Sequence, residues 1–540
     1  MLSNYKEIRE KNIEEYGKGS RHLSYFADIY STRTHFIYEL LQNTEDALSR
    51  REDGSPEGYV HFYLSKDRLE VRHNGAPFVE NENRKDVSGI CGIGEGTKAG
   101  DYTQIGKFGI GFKSVYAYTF FPQIHSCDEH FEIRRFVEPY ELSADDSPSV
   151  QDGETCIVLP FDSIVPKPEW AFRDSLPIEQ VSQEIGNALC NLGARSLLFL
   201  RQLTEIKCTF PDDASGHFYR KVKDETPSSR LVTVTDGDNI EEWRVYQRIG
   251  TIQDGNDMHS VTVEVAFLVE DSKVRRAQHT ELIAYFPTAM KTGLGFLIHA
   301  PFKTTKARDN IKYPDSANQQ ITETAAQLAA DSLENLRDLG LLDVSSYNAL
   351  PLQVPEDSIF RPIYDKVRKS LKEKPLMPLH GGGFGKPDEA KLARGKELVA
   401  LFSLEQLGML FGKEKLLWLD SSITETGTFA DVHTYLVGRK KQWSQIWEIE
   451  PLLDRLQVDG DTLSPKLTAE FLHKQPLPWL VNFIQYAAQG ASALKRTPFI
   501  RLVYGKQVSL PADRETPRPA WFAPKDAAGL DLSVFPLVDS

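Results

Sequence analysis

The segment THFIYELLQNTEDALSR, residues 34–50, decides how the first part of this chain folds. Its apolar side chains recur every three or four residues, which is the spacing of one face of an α-helix. The residues on that face are Phe36, Ile37, Leu40, Leu41, Ala47 and Leu48. We therefore predict an amphipathic helix over residues 34–50 whose apolar face packs against a core.

The same helix carries a stripe of polar side chains. Glu39, Asn43 and Asp46 are four and three residues apart, so at about 100° per residue they line one edge of the helix. Such a stripe is either a solvated face opposite the core or one wall of a ligand site. A second element suited to the same ligand would favour the site.

The residues after this helix predict a β-hairpin and then a glycine-rich segment. Residues 59–72 alternate between apolar and polar side chains around the turn Ser65-Lys66-Asp67, which is typical of a hairpin. The hairpin ends in the loop His73-Asn74-Gly75. Glycines are frequent over residues 89–111, and we expect KSVYAYT, residues 113–119, to continue as a helix.

The glycine-rich segment supplies the second element. In IGKFGIGFKS, residues 105–114, the glycine spacing lets backbone N–H groups approach phosphate oxygens, and a helix that starts there adds its positive end. The segment is not a Walker P-loop, because one residue too many separates Gly100 from Gly106 and Phe108 stands in place of Ser or Thr. It does not have the Rossmann spacing either. We therefore predict a phosphate loop of another kind.

The order of the motifs resembles that of the GHKL superfamily, which includes the ninety-kilodalton heat-shock chaperones, MutL, gyrase B and MORC proteins. The sequences of these motifs are most similar to those in the N-terminal ATPase domain of sacsin and sacsin-like proteins. The matching segments are FIYELLQNTEDA (36–47), RHNGAPF (72–78), EGTKAG (95–100), IGKFGIGFKSVY (105–116) and ETCIVLPF (154–161). The resemblance implies an α/β sandwich of the Bergerat type that binds ATP with Mg²⁺.

The resemblance also implies roles for individual residues. Glu39 would be the general base for the attacking water, and Asn43 would bind the magnesium ion. Arg308, in the segment ARDNI at 307–311, would be a second catalytic residue at the terminal phosphate, unless it is an ordinary surface arginine. The other implied nucleotide contacts are Asp46, Ala47, His73, Gly75, Thr97, Lys98, Gly106, Lys107, Phe108, Gly109, Ile110, Gly111, Phe112 and Thr155.

His73 departs from the family pattern, which has Asp at this position to accept the adenine N6 proton. A neutral imidazole nitrogen could accept the same hydrogen bond, whereas a ring that turns its proton toward the base would disfavour adenine. The sequence therefore leaves nucleotide choice open. Thr155 follows Glu154 where the family prefers Gly, a milder departure.

The length of the chain suits several domains. We predict an ATP-binding domain with an N-terminal arm over 1–165, a transducer-like α/β middle domain over 166–345 and an α-rich C-terminal region over 346–540. The middle domain is predicted to contain helices at 178–192 and 318–339 and strands at 205–210, 230–249 and 260–269. The Pro- and Gly-rich segment 372–387 is interpreted as a linker, and we expect the natural protein to continue beyond residue 540.

The composition and charge of the chain are typical of a globular protein and exclude several other classes. Of the 540 residues 40% are hydrophobic and 26% are charged, which is ordinary for a globular protein. The net charge of -14 works against non-specific binding to nucleic acid or to an anionic membrane. No apolar run is long enough for a signal peptide or a membrane span, and the five cysteines include no C-x-x-C pair. We expect a cytoplasmic protein with reduced thiols.

These observations lead us to expect a slow ATPase switch. The lid segment 81–104 and the arm 1–30 should move, and binding of ATP should favour a homodimer. Such a module would belong to a larger chaperone-like or anti-phage defence protein, and nothing in the sequence identifies its client. Two alternatives remain: a nucleotide-sensing scaffold without hydrolysis, which His73 leaves open, and a nucleic-acid-processing component of the MutL or restriction type.

Overall fold

The chain folds as a mixed α/β protein with one large mixed sheet and several helices. The computed structural model describes residues 3–17, 32–52, 55–93, 111–143, 148, 151, 153–212, 214–305, 310–393, 396–414, 416–437, 451–452, 468–488, 498–509, 520–523 and 536–539. Two compact units are present, one formed by Met1–Ser332 with Val354–Tyr364 and the other by Leu333–Gln353 with Asp365–Ser540.

The secondary structure changes in character along the chain, with most long strands before residue 300. The α-helices are α1 (Tyr5–Tyr16), α2 (Phe36–Leu48), α3 (Asp86–Cys91), α4 (Ile178–Cys190), α5 (Ser316–Asp338), α6 (Arg361–Glu373), α7 (Lys396–Leu401), α8 (Leu404–Phe411), α9 (Ala430–Val437), α10 (Ala469–His473) and α11 (Leu477–Ala488). The 3-10 helices are Arg33–His35, Gly111–Ala117, Asp162–Ile164, Ala194–Leu197, Val344–Ala349 and Pro387–Glu389.

The strands form one large sheet and several very small ones. The strands of the large sheet are β1 (Gly58–Leu64), β2 (Arg68–His73), β3 (Gln123–Ser126), β4 (Glu129–Arg134), β5 (Glu138–Glu141), β6 (Thr155–Pro160), β7 (Leu203–Thr209), β8 (Ser215–Lys223), β9 (Ser229–Asp236), β10 (Asn239–Asp254), β11 (Asp257–Glu270), β12 (Lys273–Arg275), β13 (Glu281–Ala284), β14 (Phe286–Lys291) and β15 (Leu297–His299). The short strands are β16 (Met377–Pro378), β17 (Phe384–Gly385), β18 (Ala390–Ala393), β19 (Leu417–Trp418), β20 (Pro451–Leu452), β21 (Ile500–Arg501) and β22 (Gln507–Val508).

The large sheet has 15 strands and runs without a break through the first unit. Its order is β14-β13-β15-β11-β10-β9-β8-β7-β1-β2-β6-β3-β4-β5, with β12 paired to β11. The pairs β1–β7 and β13–β15 are parallel and the others are antiparallel. The β1–β7 pair therefore joins the strands of the first 160 residues to those that follow residue 200.

Helix α2 confirms the prediction for residues 34–50 and is buried more completely than its sequence pattern indicates. All the predicted core side chains are at most 5% exposed. Glu39 and Asp46, on the polar stripe, are themselves only 3% and 9% exposed. The interpretation of this stripe as a solvated face is therefore wrong, because the carboxylates lie inside the unit.

The predicted hairpin is also confirmed. Strands β1 and β2 pair from Val60 with His73 to Leu64 with Leu69, and the Ser65 N–H donates to the Arg68 carbonyl oxygen at 2.9 Å. On its other side β2 pairs with β6, and there His73 lies opposite Thr155. The last residue of β2 is thus brought beside a residue more than eighty positions later in the chain.

Residues 111–117 form a 3-10 helix, so the helix predicted for residues 113–119 is present in part, as a 3-10 helix that ends at Ala117. Every side chain from Phe112 to Ala117 is buried, and the Lys113 ammonium donates hydrogen bonds to the carbonyl oxygens of Ile90 and Phe136. Tertiary contacts on all sides therefore decide the conformation of this segment, and a local pattern could not indicate them.

Further along the chain, the predictions for helices 178–192 and 318–339 correspond to α4 and α5. The strand expected over 230–249 is divided between β9 and β10 by a turn in which Gly237 has a φ of 56°. Within segment 372–387, which the sequence indicated as a linker, β16 pairs with β17 in a small hairpin. Within the described residues, no helix combines the length and apolarity that a bilayer span requires.

Candidate functional site

The carboxylate of Glu39 lies directly against the backbone of Gly111. A Cβ atom on residue 111 would be 1.8 Å from Glu39 Oε2, so only glycine fits there without displacing the carboxylate. The other oxygen, Oε1, is 3.6 Å from Nε2 of His35, one turn earlier. The polar stripe of α2 and the described end of the glycine-rich segment therefore meet at one carboxylate.

Asn43 occupies the next turn of α2 and is the side chain on the stripe best suited to a metal ion. It is half-buried, and its amide makes no hydrogen bond with any described residue. Among the described residues, no three His, Cys, Asp or Glu side chains converge as a metal cluster. A single amide oxygen still fits Mg²⁺, because that ion keeps several waters and takes further ligands from substrate phosphates.

The loop after β2 packs against the end of the same helix. The Ala76 N–H donates to the Ala47 carbonyl oxygen at 2.9 Å. A Cβ atom on Gly75 would be 2.6 Å from Cβ of Ala47, so this approach requires glycine. Asp46 precedes Ala47 and is 9% exposed. We call Glu39, Asn43, Asp46, Ala47, Gly75 and Gly111 the α2 site.

Asn74 fixes the position of this loop. Its side-chain oxygen accepts from the Tyr59 N–H at 2.9 Å, and its amide nitrogen donates to the Glu57 carbonyl oxygen at 2.8 Å. Both bonds tie the loop to the start of β1. The loop is therefore held from two sides, by α2 and by the sheet.

His73 is a buried, neutral histidine at the edge of the α2 site. Its ring is 3% exposed, and Nδ1 accepts a hydrogen bond from the Gly75 N–H at 3.1 Å. Burial, together with the nearby charge of Arg50, lowers the pKa of His73 to about 4. The ring is therefore uncharged at neutral pH.

Thr155 lies beside His73 and is completely buried. Its hydroxyl is 2.6 Å from Oγ of Ser126, and that oxygen also accepts from the Phe78 N–H at 3.0 Å. This hydroxyl pair links β3 and β6 to the chain that leaves the His73 loop. Thr155 thus helps to hold the strands and the loop that surround His73.

The predicted site residues divide into those that the structure describes and those outside the described residues. Thr97, Lys98, Gly106, Lys107, Phe108, Gly109, Ile110 and Arg308 fall outside the described residues, so their roles stay predictions. Phe112 is described, and its side chain is 4% exposed within the main apolar core. A nucleotide contact from Phe112 would therefore have to come from its backbone.

Three residues near the site carry no assigned role in the sequence analysis. His35 could have been found, because it precedes Glu39 by one helical turn. Lys113 had a signal too, since it is a lysine inside the apolar run FKSVYAY. No sequence signal indicated Ser126, because its contact with Thr155 arises from the pairing of β3 with β6.

Lys113 connects the glycine-rich segment to the predicted lid. It is completely buried, and its Nζ donates to the Ile90 carbonyl oxygen at 2.6 Å. Ile90 belongs to α3, within the predicted lid segment 81–104. Burial lowers the pKa of Lys113 to about 8, against a smaller opposing effect from Cys91. A movement of α3 would therefore displace Lys113, which is two residues from Gly111.

Glu45 connects the same helix to the far half of the sheet. Its carboxylate accepts hydrogen bonds from the backbone N–H groups of Arg201, Gln202 and Leu203 at 2.6, 2.9 and 2.7 Å. The Arg201 guanidinium in turn donates to Glu264 on β11 at 2.6 Å. Hydrogen bonds to the backbone and to the side chain of Arg201 thus connect α2 to the strands after residue 200.

Comparison with known proteins identifies a sacsin-like segment that contains this site. The family model described as the Sacsin domain matches residues 21–134, about a fifth of the chain. The chain is also similar to Protein NO VEIN of Arabidopsis thaliana, with 27% identity over 387 residues. That similarity covers 66% of this chain and 13% of the relative, so the chain spans about an eighth of its length.

Proposed function

We propose that this chain is a nucleotide-dependent switch that binds ATP with Mg²⁺ in the α2 site and hydrolyses it slowly. The contact between the Glu39 carboxylate and the Gly111 backbone is the observation that carries the proposal. It brings a candidate general base into contact with Gly111. Gly111 is the described end of the segment whose glycines are suited to binding phosphate. The resemblance to GHKL ATPases and the Sacsin-domain match over the same residues support it.

Glu39 has the surroundings that a general base needs. It is buried, it is fixed on a helix, and its two oxygens are contacted by His35 and by the Gly111 backbone. A carboxylate held in this way orients a water molecule and accepts its proton, which contributes about 10²- to 10⁴-fold to a rate. His35 is placed to hold the carboxylate in position.

Asn43 would hold the magnesium ion that the bound triphosphate brings, and the ion would offset negative charge on the phosphates. Thr97, Lys98, Lys107 and Arg308 are proposed to contact the phosphates, and Glu39 to act on the attacking water. Closure of the lid would exclude bulk water and couple hydrolysis to a change of shape. Hydrolysis would then time a conformational cycle.

The chain is proposed to be one module of a larger, chaperone-like or defence-related protein. The match to a small part of a much longer relative supports this proposal. A scaffold that senses a nucleotide without hydrolysing it differs from the proposed switch in one respect, since it would bind ATP and show no turnover that depends on Glu39.

Calorimetric titration of the chain with ATP, with and without Mg²⁺, tests the binding step. We expect binding that weakens about tenfold or more without Mg²⁺, and that loses most of this metal dependence in Asn43→Ala, because the magnesium ligand is gone. Asn191→Ala, at the exposed end of α4, is the matched control and should behave as the wild type. Absence of ATP binding under all conditions would refute the proposed function.

A further inference from the structure

The tautomer of His73 is set by its own loop. A neutral imidazole has one nitrogen that donates and one that accepts. Nδ1 accepts from the Gly75 N–H at 3.1 Å, so the proton of the neutral ring must be on Nε2. Nε2 of His73 is therefore a hydrogen-bond donor.

The packing of the loop keeps this arrangement in place. Gly75 is pressed against Ala47, and the Asn74 side chain is bonded to the start of β1, so the Gly75 N–H has a fixed direction. His73 itself lies in the sheet between Val60 and Thr155. A reversed tautomer would place two N–H groups against each other, which buried polar groups avoid.

The donor on Nε2 has no acceptor within the described part of the chain. The only hydrogen bond of the His73 side chain there is the one between Nδ1 and Gly75. His73 is 3% exposed, so only a small part of this residue is open to a ligand. A donor whose tautomer is fixed and that has no acceptor in the described part of the chain is suited to an acceptor atom on a ligand.

We propose that His73 is a specificity-determining residue that donates its Nε2–H to an acceptor atom of a purine base. The base is then read through a ring nitrogen or a 6-oxo oxygen, and the 6-amino group of adenine makes no required contact with this residue. This inference rests on the proposed nucleotide site. It reverses the polarity that an aspartate would give to the same position, since a carboxylate accepts from an amino group.

Binding of three triphosphates in the presence of Mg²⁺ tests this inference. ATP carries an amino group at position 6, purine riboside triphosphate carries hydrogen there, and inosine triphosphate carries an oxygen. For the wild type we expect purine riboside triphosphate to bind within about threefold of ATP, and inosine triphosphate to bind at least as tightly as ATP. A wild-type loss of about tenfold on removal of the amino group, the value of one hydrogen bond, would overturn the inference.

The isosteric pair His73→Asn and His73→Asp gives the matched control. The oxygen of Asn can accept from the Gly75 N–H while its amide nitrogen donates, so the wild-type order of the three ligands should persist. The carboxylate of Asp has no donor, so ATP should become about tenfold better than the other two. The same ligand order in both variants would overturn the inference, and if either variant does not fold, the wild-type comparison decides alone.

The outcome separates this inference from the proposed function. Wild-type binding of triphosphates with a strong requirement for the 6-amino group would leave the nucleotide switch standing and refute the role of His73. If none of the triphosphates binds, both the proposed function and this inference are refuted.

Discussion

At the scale of single residues, two side chains approach glycine backbones so closely that no other residue fits in place of the glycines. Gly111 lies against Glu39 and Gly75 lies against Ala47, and in both places a Cβ atom would overlap a neighbouring atom. All four residues were predicted from a resemblance, with Gly111 expected to contact phosphate. It did not indicate that Gly111 also sets the position of the Glu39 carboxylate, because that contact joins residues 72 positions apart.

Gly111→Ala tests this contact. The added methyl would lie 1.8 Å from Glu39 Oε2, so the carboxylate must move. We expect the rate of ATP hydrolysis to fall about 10²-fold, as a displacement of about 1 Å at a catalytic group can cause, with the fold retained. Gly186→Ala is the control, since its Cβ would lie 3.6 Å from Leu64 Cδ2, an ordinary contact. Equal rates in the two variants would contradict the placement of Glu39.

The buried His73 also predicts a dependence of stability on pH. Its pKa is lowered to about 4, so between pH 4 and its ordinary pKa near 6.5 the folded chain binds fewer protons than the unfolded chain. The free energy of unfolding should therefore fall as pH drops through this window, and His73 should contribute at most about 3 kcal/mol of that loss. Urea titrations between pH 4.5 and 7 measure it.

His73→Asn should remove this contribution while the other histidines keep theirs. The pKa of His61 and of His125 is also lowered to about 4 by burial, so the wild-type curve alone does not isolate His73. The difference between the wild-type and His73→Asn curves of unfolding free energy against pH isolates the contribution of His73. Parallel curves for wild type and variant over the whole range would show that His73 is not buried in its neutral form.

At the scale of elements, the predictions succeeded where local patterning decides the structure. Helix α2 and the β1–β2 hairpin were predicted because apolar spacing over ten to twenty residues specifies them. The parallel pairing of β1 with β7 was not predictable, since it joins Gly58 to Leu203. A helix was predicted at 113–119, but its 3-10 form was not, because Lys113 within it is bound to the distant carbonyl groups of Ile90 and Phe136.

Glu45 provides a test of the contact between α2 and β7. Its carboxylate accepts hydrogen bonds from three backbone N–H groups at the start of β7. Glu45→Gln substitutes an amide that can accept fewer of these bonds, so we expect a loss of about 2 kcal/mol in the free energy of unfolding. Denaturant titration measures the change.

Glu52→Gln is the control for this prediction. Glu52 is exposed just beyond the same helix, so its substitution should change stability by less than about 0.5 kcal/mol. Equal stability of Glu45→Gln and Glu52→Gln would show that the Glu45 contacts do not hold α2 to the sheet.

At the scale of the whole molecule, one sheet runs through the first unit, so α2 and the strands after residue 200 belong to the same body. The contacts from Glu45 to Arg201 and from Arg201 to Glu264 follow this continuity. Glu264 is 1% exposed, and although burial raises its pKa, His299, Arg230 and Arg201 lower it to about 2 overall. This carboxylate therefore stays charged at neutral pH.

The proposed cycle predicts a change in oligomeric state. With ATP and Mg²⁺ the chain should form a homodimer, and the Glu39→Gln variant should remain dimeric for longer, because it binds the nucleotide without consuming it. Sedimentation velocity measures the mass of each sample with and without nucleotide. A single-chain mass for both proteins under every condition would contradict the dimeric part of the proposal and leave hydrolysis untouched.

The most direct test of the account is single-turnover hydrolysis of ATP, with Mg²⁺, by the wild type and by Glu39→Gln, with ATP binding measured on the same samples. Glu179→Gln, an exposed residue on α4, serves as the control. We expect slow wild-type turnover, unchanged turnover in the control, and a loss of at least about 10²-fold in Glu39→Gln with binding retained. Turnover in Glu39→Gln equal to that of the wild type would contradict the central claim.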